Sequence, residues 1–295
     1  MKLTSLIFFA VVMIAVLNDK AHAQKATEIR ETLSIKSDYW CPYICDPNSD
    51  RPGYMVEVVR TIFEKHNIAS DISLTNWVRA IKDTRVNKAQ GLIGTAKSDA
   101  PDFVFHNKAL GVSRSAFFTR KDSTWVYKGR KSLQNMRIGI INGYSYGTSI
   151  DKLIAARHKS FIPFSGDRPL DQVLKMIKSG RLDAFIENPI VLHSVVNERG
   201  MKVDSLKAAG WVVSDNPFLY LAFSPANSNS NQYAEIIDRG IEEMRRSGEL
   251  QRILDKYGLE DWEKSKMSLG AVNNFSTGLL KSPLDLFNMF NTGSL

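Results

Sequence analysis

The run Gly143-Tyr144-Ser145-Tyr146-Gly147 has the G-x-S-x-G spacing that presents a serine on a tight turn between a strand and a helix. In a hydrolase that turn exposes the hydroxyl for attack, and an acid and then a histidine must follow in the chain to take its proton. The ordered set here is Ser145, Asp167 or Asp183, and His193. His193 lies in Ile190-Val191-Leu192-His193-Ser194-Val195-Val196, which reads as part of a helix, and no glycine-rich oxyanion segment precedes the serine. The same turn can instead offer its hydroxyl and backbone N–H groups to a bound molecule.

A second candidate is Glu187, at the end of an apolar strand. Burial against aromatic rings would raise its pKa toward the range useful to a general acid or base, as in a dehydratase. A lone carboxylate at a cleft edge is more often a hydrogen-bonding anchor than a catalyst. The two cysteines, Cys41 and Cys45, stand in Tyr39-Trp40-Cys41-Pro42-Tyr43-Ile44-Cys45. Two nearby thiols with no other partner join in an oxidising compartment, so a structural disulfide is expected. Their spacing is C-x3-C, not the C-x2-C of redox motifs, and without a second cysteine pair or H-x-x-H they lack the further ligands of a metal site. His66, His106 and His158 show no metal spacing. Neither metal nor cofactor is expected.

These residues sit in a chain of 295 residues, 43% hydrophobic and 24% charged, the balance of a globular protein with ample core. Its net charge of +8 is spread without a run of five like charges, so nucleic acid is not the expected partner. Lys2, an apolar stretch from Leu3 to Leu17 and then Ala21-His22-Ala23 form the pattern of a cleaved signal peptide over residues 1–23. A membrane anchor is the rival, but the stretch is short of the ~20 residues that span a bilayer. Removing residues 1–23 takes away Lys2, Lys20 and Asp19, leaving +7.

The positioning elements follow from periodicity. Leu33 to Ile35 is a strand, and Met55, Val58, Val59, Ile62 and Phe63 recur at helical spacing after Gly53-Tyr54. Ile72 and Leu74 mark a strand, Asn76 to Ile81 a helix, and Ala89 to Ile93 a strand ending in Gly94-Thr95. The pattern repeats with Arg137 to Ile141 (strand), Ser149 to Ala156 (helix), Phe161 to Phe164 (strand), Leu170 to Ile177 (helix) and Asp183 to Ile186 (strand). Two similar α/β lobes are implied. Two helices, through Tyr233 to Met244 and Leu250 to Tyr257, break at Ser247-Gly248. Residues 264–295 read as a flexible tail or, with Ser282 capping and Pro283 opening it, a short amphipathic docking helix.

Four features in order carry a resemblance: the aromatic loop after the first strand, Gly53-Tyr54 opening a helix, Ser179-Gly180-Arg181-Leu182-Asp183-Ala184, and Phe218-Leu219-Tyr220-Leu221-Ala222-Phe223 followed by two helices through Lys256-Tyr257-Gly258. From about residue 30 to 263 the chain resembles the bacterial extracellular solute-binding proteins of family 3. The resemblance implies an α/β, two-lobed periplasmic-binding-protein type II fold. Each lobe is then a mostly parallel sheet with flanking helices, joined by two crossing strands around a ligand cleft. The expected division is lobe 1 at 24–120, lobe 2 at 121–224 and the C-terminal helices of lobe 1 at 225–263. The implied role is a periplasmic, monomeric receptor, not an enzyme, that captures a small polar or aromatic ligand for a membrane transporter (an ABC permease) or a sensor. The candidate ligand residues are Tyr39, Trp40, Tyr43, Trp77, Arg79, Thr95, Tyr144, Ser145, Tyr146, Glu187 and Asn188. Trp77 is as readily a core residue of its helix. In such a fold binding explains Ser145 better than hydrolysis, leaving a secreted serine hydrolase or a receptor-fold lyase as alternatives.

The sequence also departs from the family. Amino-acid-binding members resemble one another in placing an arginine about six residues before the phenylalanine that ends the next strand, where its planar fork grips the α-carboxylate; counting back from Phe105 reaches Asp99. Where they place an aspartate for the α-ammonium stands Asn188, after Glu187. Arg79 or Arg114 can supply a relocated clamp and Glu187 a relocated acid. An ordinary α-amino acid is therefore not the expected ligand.

Overall fold

In the computed structural model, which describes residues 31–201, 205–214 and 216–263, the chain forms two five-stranded sheets. The expected signal peptide and tail lie outside the described residues. The first sheet has the order β2-β1-β3-β10-β4, with β1 (Glu31–Ser37), β2 (Ile68–Leu74), β3 (Gly91–Thr95), β4 (Gly111–Val112) and β10 (Phe218–Phe223). The second has the order β7-β6-β8-β5-β9, with β5 (Ala116–Arg120), β6 (Ile138–Ile141), β7 (Phe161–Phe164), β8 (Ala184–Glu187) and β9 (Leu206–Trp211).

Helix α1 (Tyr54–Glu64) covers the first sheet with a face buried through Met55, Val58, Val59, Ile62 and Phe63, at the helical spacing of the sequence. Helix α2 (Trp77–Arg85) starts at Asn76, whose side chain accepts from the Arg79 N–H and so satisfies one of the free donors of the first turn. In the second lobe lie α3 (Thr148–Ala155), α4 (Pro169–Lys178) and α5 (Pro189–Glu198). The chain returns to the first lobe with α6 (Ser230–Arg246) and α7 (Glu249–Asp255), broken at Gly248, which adopts φ +74°. Gly240 lets α6 approach α1 closely, since a Cβ there would sit 2.5 Å from Ile62 Cγ2. Among the described residues no helix is long and apolar enough to cross a membrane.

Both sheets are mixed. In each lobe the strands joined by helices pair in parallel, β1 with β2 and β3, and β6 with β7 and β8, while the strands that cross between lobes pair antiparallel, β10 with β3 and β4, and β5 with β8 and β9. The lobe limits shift accordingly. Strand β5 belongs to the second sheet and β10 to the first, so the crossings fall at 113–115 and 212–217, not at 120 and 224. The sequence hid this because β5 and β10 are buried on both faces and show no alternation that would assign them to one sheet.

Candidate functional site

Four strand ends point into one interlobe cleft. Asp38 follows β1, Gly94 and Ala96 bracket the end of β3, Tyr144 to Tyr146 follow β6, and Glu187 ends β8; all line one cavity that is open to solvent. Loops beyond the carboxyl ends of parallel strands are where ligands of open α/β sheets sit. The crossings contribute Ser113, Ser115 and Ser214 to the floor.

The aromatic wall is built from the cysteine loop. Cys41 and Cys45 form a disulfide, and the Trp40 N–H donates to Ile44 O at 2.8 Å, so the five-residue loop is closed twice. Gly53 fits beneath it at φ +101°, where a Cβ would lie 2.5 Å from Tyr43 O. This fixes Trp40, whose ring stacks on Tyr43 at 4.4 Å and meets Tyr144 edge-on at 6.5 Å. Trp77, at the first turn of α2, meets Tyr144 edge-on at 5.8 Å. It is at once buried and cleft-lining, so its two readings do not compete.

The lobes are latched across this cleft. Tyr144 Oη donates to Asp38 Oδ2 at 2.5 Å, Trp40 Nε1 to Glu187 Oε1 at 3.2 Å, and Trp77 Nε1 to the Gly143 carbonyl at 3.1 Å. The Ser145 N–H donates to Asp99 Oδ1 at 3.0 Å, and the Ser98 hydroxyl to Ser145 Oγ at 2.9 Å. On the outer rim Tyr39 Oη donates to Glu198 Oε2 at 2.8 Å while the Arg168 guanidinium stacks 4.2 Å from the Tyr39 ring centroid.

Three carboxyls of this cleft titrate far above their ordinary range. Burial raises Asp38, Asp99 and Glu187 each to about 7, against the lowering effect of their hydrogen bonds, and Asp38 lies close enough to raise both of the others. Asp38 and Glu187 are almost wholly covered; Asp99 keeps some surface toward the cleft but is enclosed by protein on its other sides. No lysine, arginine or histidine lines the cavity among the described residues.

Six of the sequence candidates therefore converge: Trp40, Trp77, Tyr144, Ser145, Tyr146 and Glu187. Five do not line the cleft, each for a local reason. Thr95 alternates away from Gly94 and Ala96 and donates to Leu92 O at 2.8 Å inside the sheet. Tyr43 is buried behind Trp40, its hydroxyl donating to Val112 O at 2.9 Å. Tyr39 faces the outer rim. Arg79 has a side chain 69% exposed beside Asp83, so it is not a relocated clamp, and Arg114 is exposed too. Asn188 caps α5, its Oδ1 accepting from the Ile190 and Val191 N–H groups while Nδ2 donates to Ser113 Oγ at 2.9 Å. Asp38 and Ser98 went unrecognised in the sequence. Asp38 follows the first strand of its lobe as Glu187 ends a strand of the other, and that positional parallel was the available signal.

The turn holding Ser145 is not assembled for nucleophilic attack. Ser145 Oγ donates to Asp151 Oδ2 at 2.6 Å, and Asp151 Oδ1 also accepts from the Tyr146 N–H at 2.7 Å. His193 lies on the outer rim near Asn197, and Asp183 is held by Arg137 at 2.6 Å. A serine bonded to a carboxylate without a histidine between them lacks the base of a triad.

A family model for bacterial extracellular solute-binding proteins, family 3, matches residues 35–260. The chain belongs to that family. Solved structures of the same fold include an ancestral arginine-binding protein bound to glutamine, at 19% identity and a TM-score of 0.63, covering 78% of this chain and 99% of that one. A histidine kinase sensor domain with similarity to periplasmic binding proteins aligns at 18% identity and a TM-score of 0.64, covering 79% and 99%. A structure from a study of glutathione import in Gram-positive bacteria, via GshT and the cystine ABC importer TcyBC of Streptococcus mutans, aligns at 17% and 0.64, covering 78% and 98%. At such identities the likeness is one of fold. No curated protein sequence matches the chain. Among the described residues the cleft lining holds no arginine, where the resemblance to amino-acid-binding members leads one to expect a carboxylate clamp.

Proposed function

We propose that this family 3 protein is a periplasmic receptor, exported by a cleaved signal peptide. It closes its two lobes over a small solute and presents the closed form, as a monomer, to a membrane transporter or sensor. It binds and does not catalyse. The observation that carries this reading is the cleft itself: strand ends of both lobes meet there, and the bonds Tyr144 to Asp38 and Trp40 to Glu187 join the lobes directly across it. Trp40, Trp77, Tyr144, Ser145, Tyr146 and Glu187 contact the solute. The rings offer flat faces for stacking, and the serines and turn N–H groups offer edges for hydrogen bonds.

A thermal-shift screen of small solutes tests the proposal. A ligand that binds only the folded state stabilises it by RT ln(1 + [L]/Kd), about 2.7 kcal/mol at a hundredfold excess over Kd. A saturable rise in Tm with one solute supports the receptor reading. Flat melting curves across amino acids, sugars, amines and aromatic acids contradict it.

A further inference from the structure

The polar groups of the cleft are unbalanced in charge. Asp38, Asp99 and Glu187 line it, Asp151 stands behind Ser145, and no basic side chain faces them among the described residues. Both donors to Glu187, from Trp40 and the Asn188 N–H, reach Oε1. The other oxygen, Oε2, belongs to a side chain only 3% exposed that lines the cavity, and it receives no hydrogen bond among those described. Buried carboxylates are ordinarily paired or neutral, so an unmatched set beside aromatic faces calls for a positive partner supplied from outside.

Resting on the receptor reading above, we infer that the solute is a small organic cation, an amine or guanidine that carries no carboxylate. Its charge sits between Glu187 and Asp38, its body lies against Trp40, Trp77 and Tyr144, and Asp99 receives a second donor at the Ser98–Ser145 end. A carboxylate on the same molecule has no arginine or lysine to meet and would face these acids. A metal ion is not the better occupant, because the described His, Cys, Asp and Glu side chains nowhere gather in threes at metal-binding geometry. Burial has already raised the three carboxyls to about 7, so an arriving cation displaces protons and does not need to break an existing ion pair.

Agmatine and L-arginine differ only in the α-carboxylate, as do cadaverine and L-lysine, and their calorimetric titration into the mature chain at pH 7.5 is the test. Binding of agmatine or cadaverine with one site per chain, at least tenfold tighter than the matching amino acid, is the expected result. The carboxamide variants Glu187→Gln and Asp38→Asn, which keep an acceptor oxygen for Trp40 and Tyr144, should each weaken that binding at least tenfold. The amine-against-amino-acid comparison uses the unaltered chain and stands if a variant fails to fold. Equal or tighter binding of the amino acid overturns the inference, as does a neutral solute that binds while no amine does; both leave the receptor reading intact. Absence of binding by every class of solute overturns both.

Discussion

Trp40 Nε1 donates to Glu187 Oε1 at 3.2 Å, tying the disulfide loop of one lobe to the last residue of a central strand in the other. A hydrogen bond to an ionisable partner contributes about 1.5–3 kcal/mol when charged and about half that when neutral. Trp40→Phe keeps the ring and removes the donor. It should shift the ligand-free protein toward an open form, read as a larger radius of gyration in small-angle scattering, with little change in helix or strand content by circular dichroism. An unchanged radius would remove this bond from the closing mechanism.

Stability should depend on pH with a definite sign. A carboxyl whose folded pKa is raised binds its proton more tightly in the folded state. Its stabilising effect is then full below the unfolded value near 4 and lost as pH rises through the folded value. For Glu187 and Asp38 that window runs from about 4 to about 7. The groups facing them are Tyr144, Trp40, the Asn188 N–H and one another, with Asp99 and Asp151 beyond and no lysine or arginine lining the cavity among the described residues. These carboxyls should lower the Tm of the ligand-free protein as pH rises from about 4 to about 7, against the opposing effect of buried His106, which burial holds down to about 4, so the fall is clearest between about pH 6.5 and 7.5. Glu187→Gln should flatten part of that fall. A Glu187→Gln protein whose Tm follows the same pH profile as the native one would show that Glu187 is ionised without penalty.

Ser145 should not turn over esters. Its hydroxyl is bonded to Asp151 and Ser98, so p-nitrophenyl acetate should hydrolyse at the background rate with either the native protein or Ser145→Ala. In ligand binding the same change should cost about one hydrogen bond, 0.5–1.5 kcal/mol. Ester turnover abolished by Ser145→Ala would reinstate the nucleophile.

The alternation of the parallel strands with their helices was legible in the sequence because each lobe alternates short apolar runs with amphipathic helices, whereas β4, β5 and β9 were not read as strands at all. Helix α1 and the break at Gly248 fall where the spacing puts them. The allocation of β5 and β10 to their sheets was not legible, since each pairs with strands distant in the chain. Half the candidate site was legible for a related reason: position in a loop after a strand is visible, but side-chain direction is not. Thr95 lies one residue from two cleft-lining neighbours and points the other way. Asn188 occupies the place of a family anchor, yet its side chain is committed to capping α5.

Removing the disulfide separates local order from global stability. Closing a loop of five residues, Cys41 to Cys45, restricts the unfolded chain by about 2 kcal/mol in the chain-entropy model. Cys41→Ser with Cys45→Ser should lower stability by about that amount in urea titration and should weaken ligand binding further, because Trp40 is carried on that loop. Full affinity in the double variant would show that the bridge Trp40–Ile44 alone positions the ring.

The cleft between the lobes as the ligand site is most directly tested by calorimetric titration of one thermal-shift hit into the native protein, Tyr144→Phe and Ser145→Ala. Tyr144→Phe removes the bond to Asp38 and leaves the ring. One site per chain, with affinity reduced about tenfold or more by Tyr144→Phe and two- to tenfold by Ser145→Ala, is the predicted result. Native affinity in both variants would contradict it and move the ligand elsewhere on the molecule.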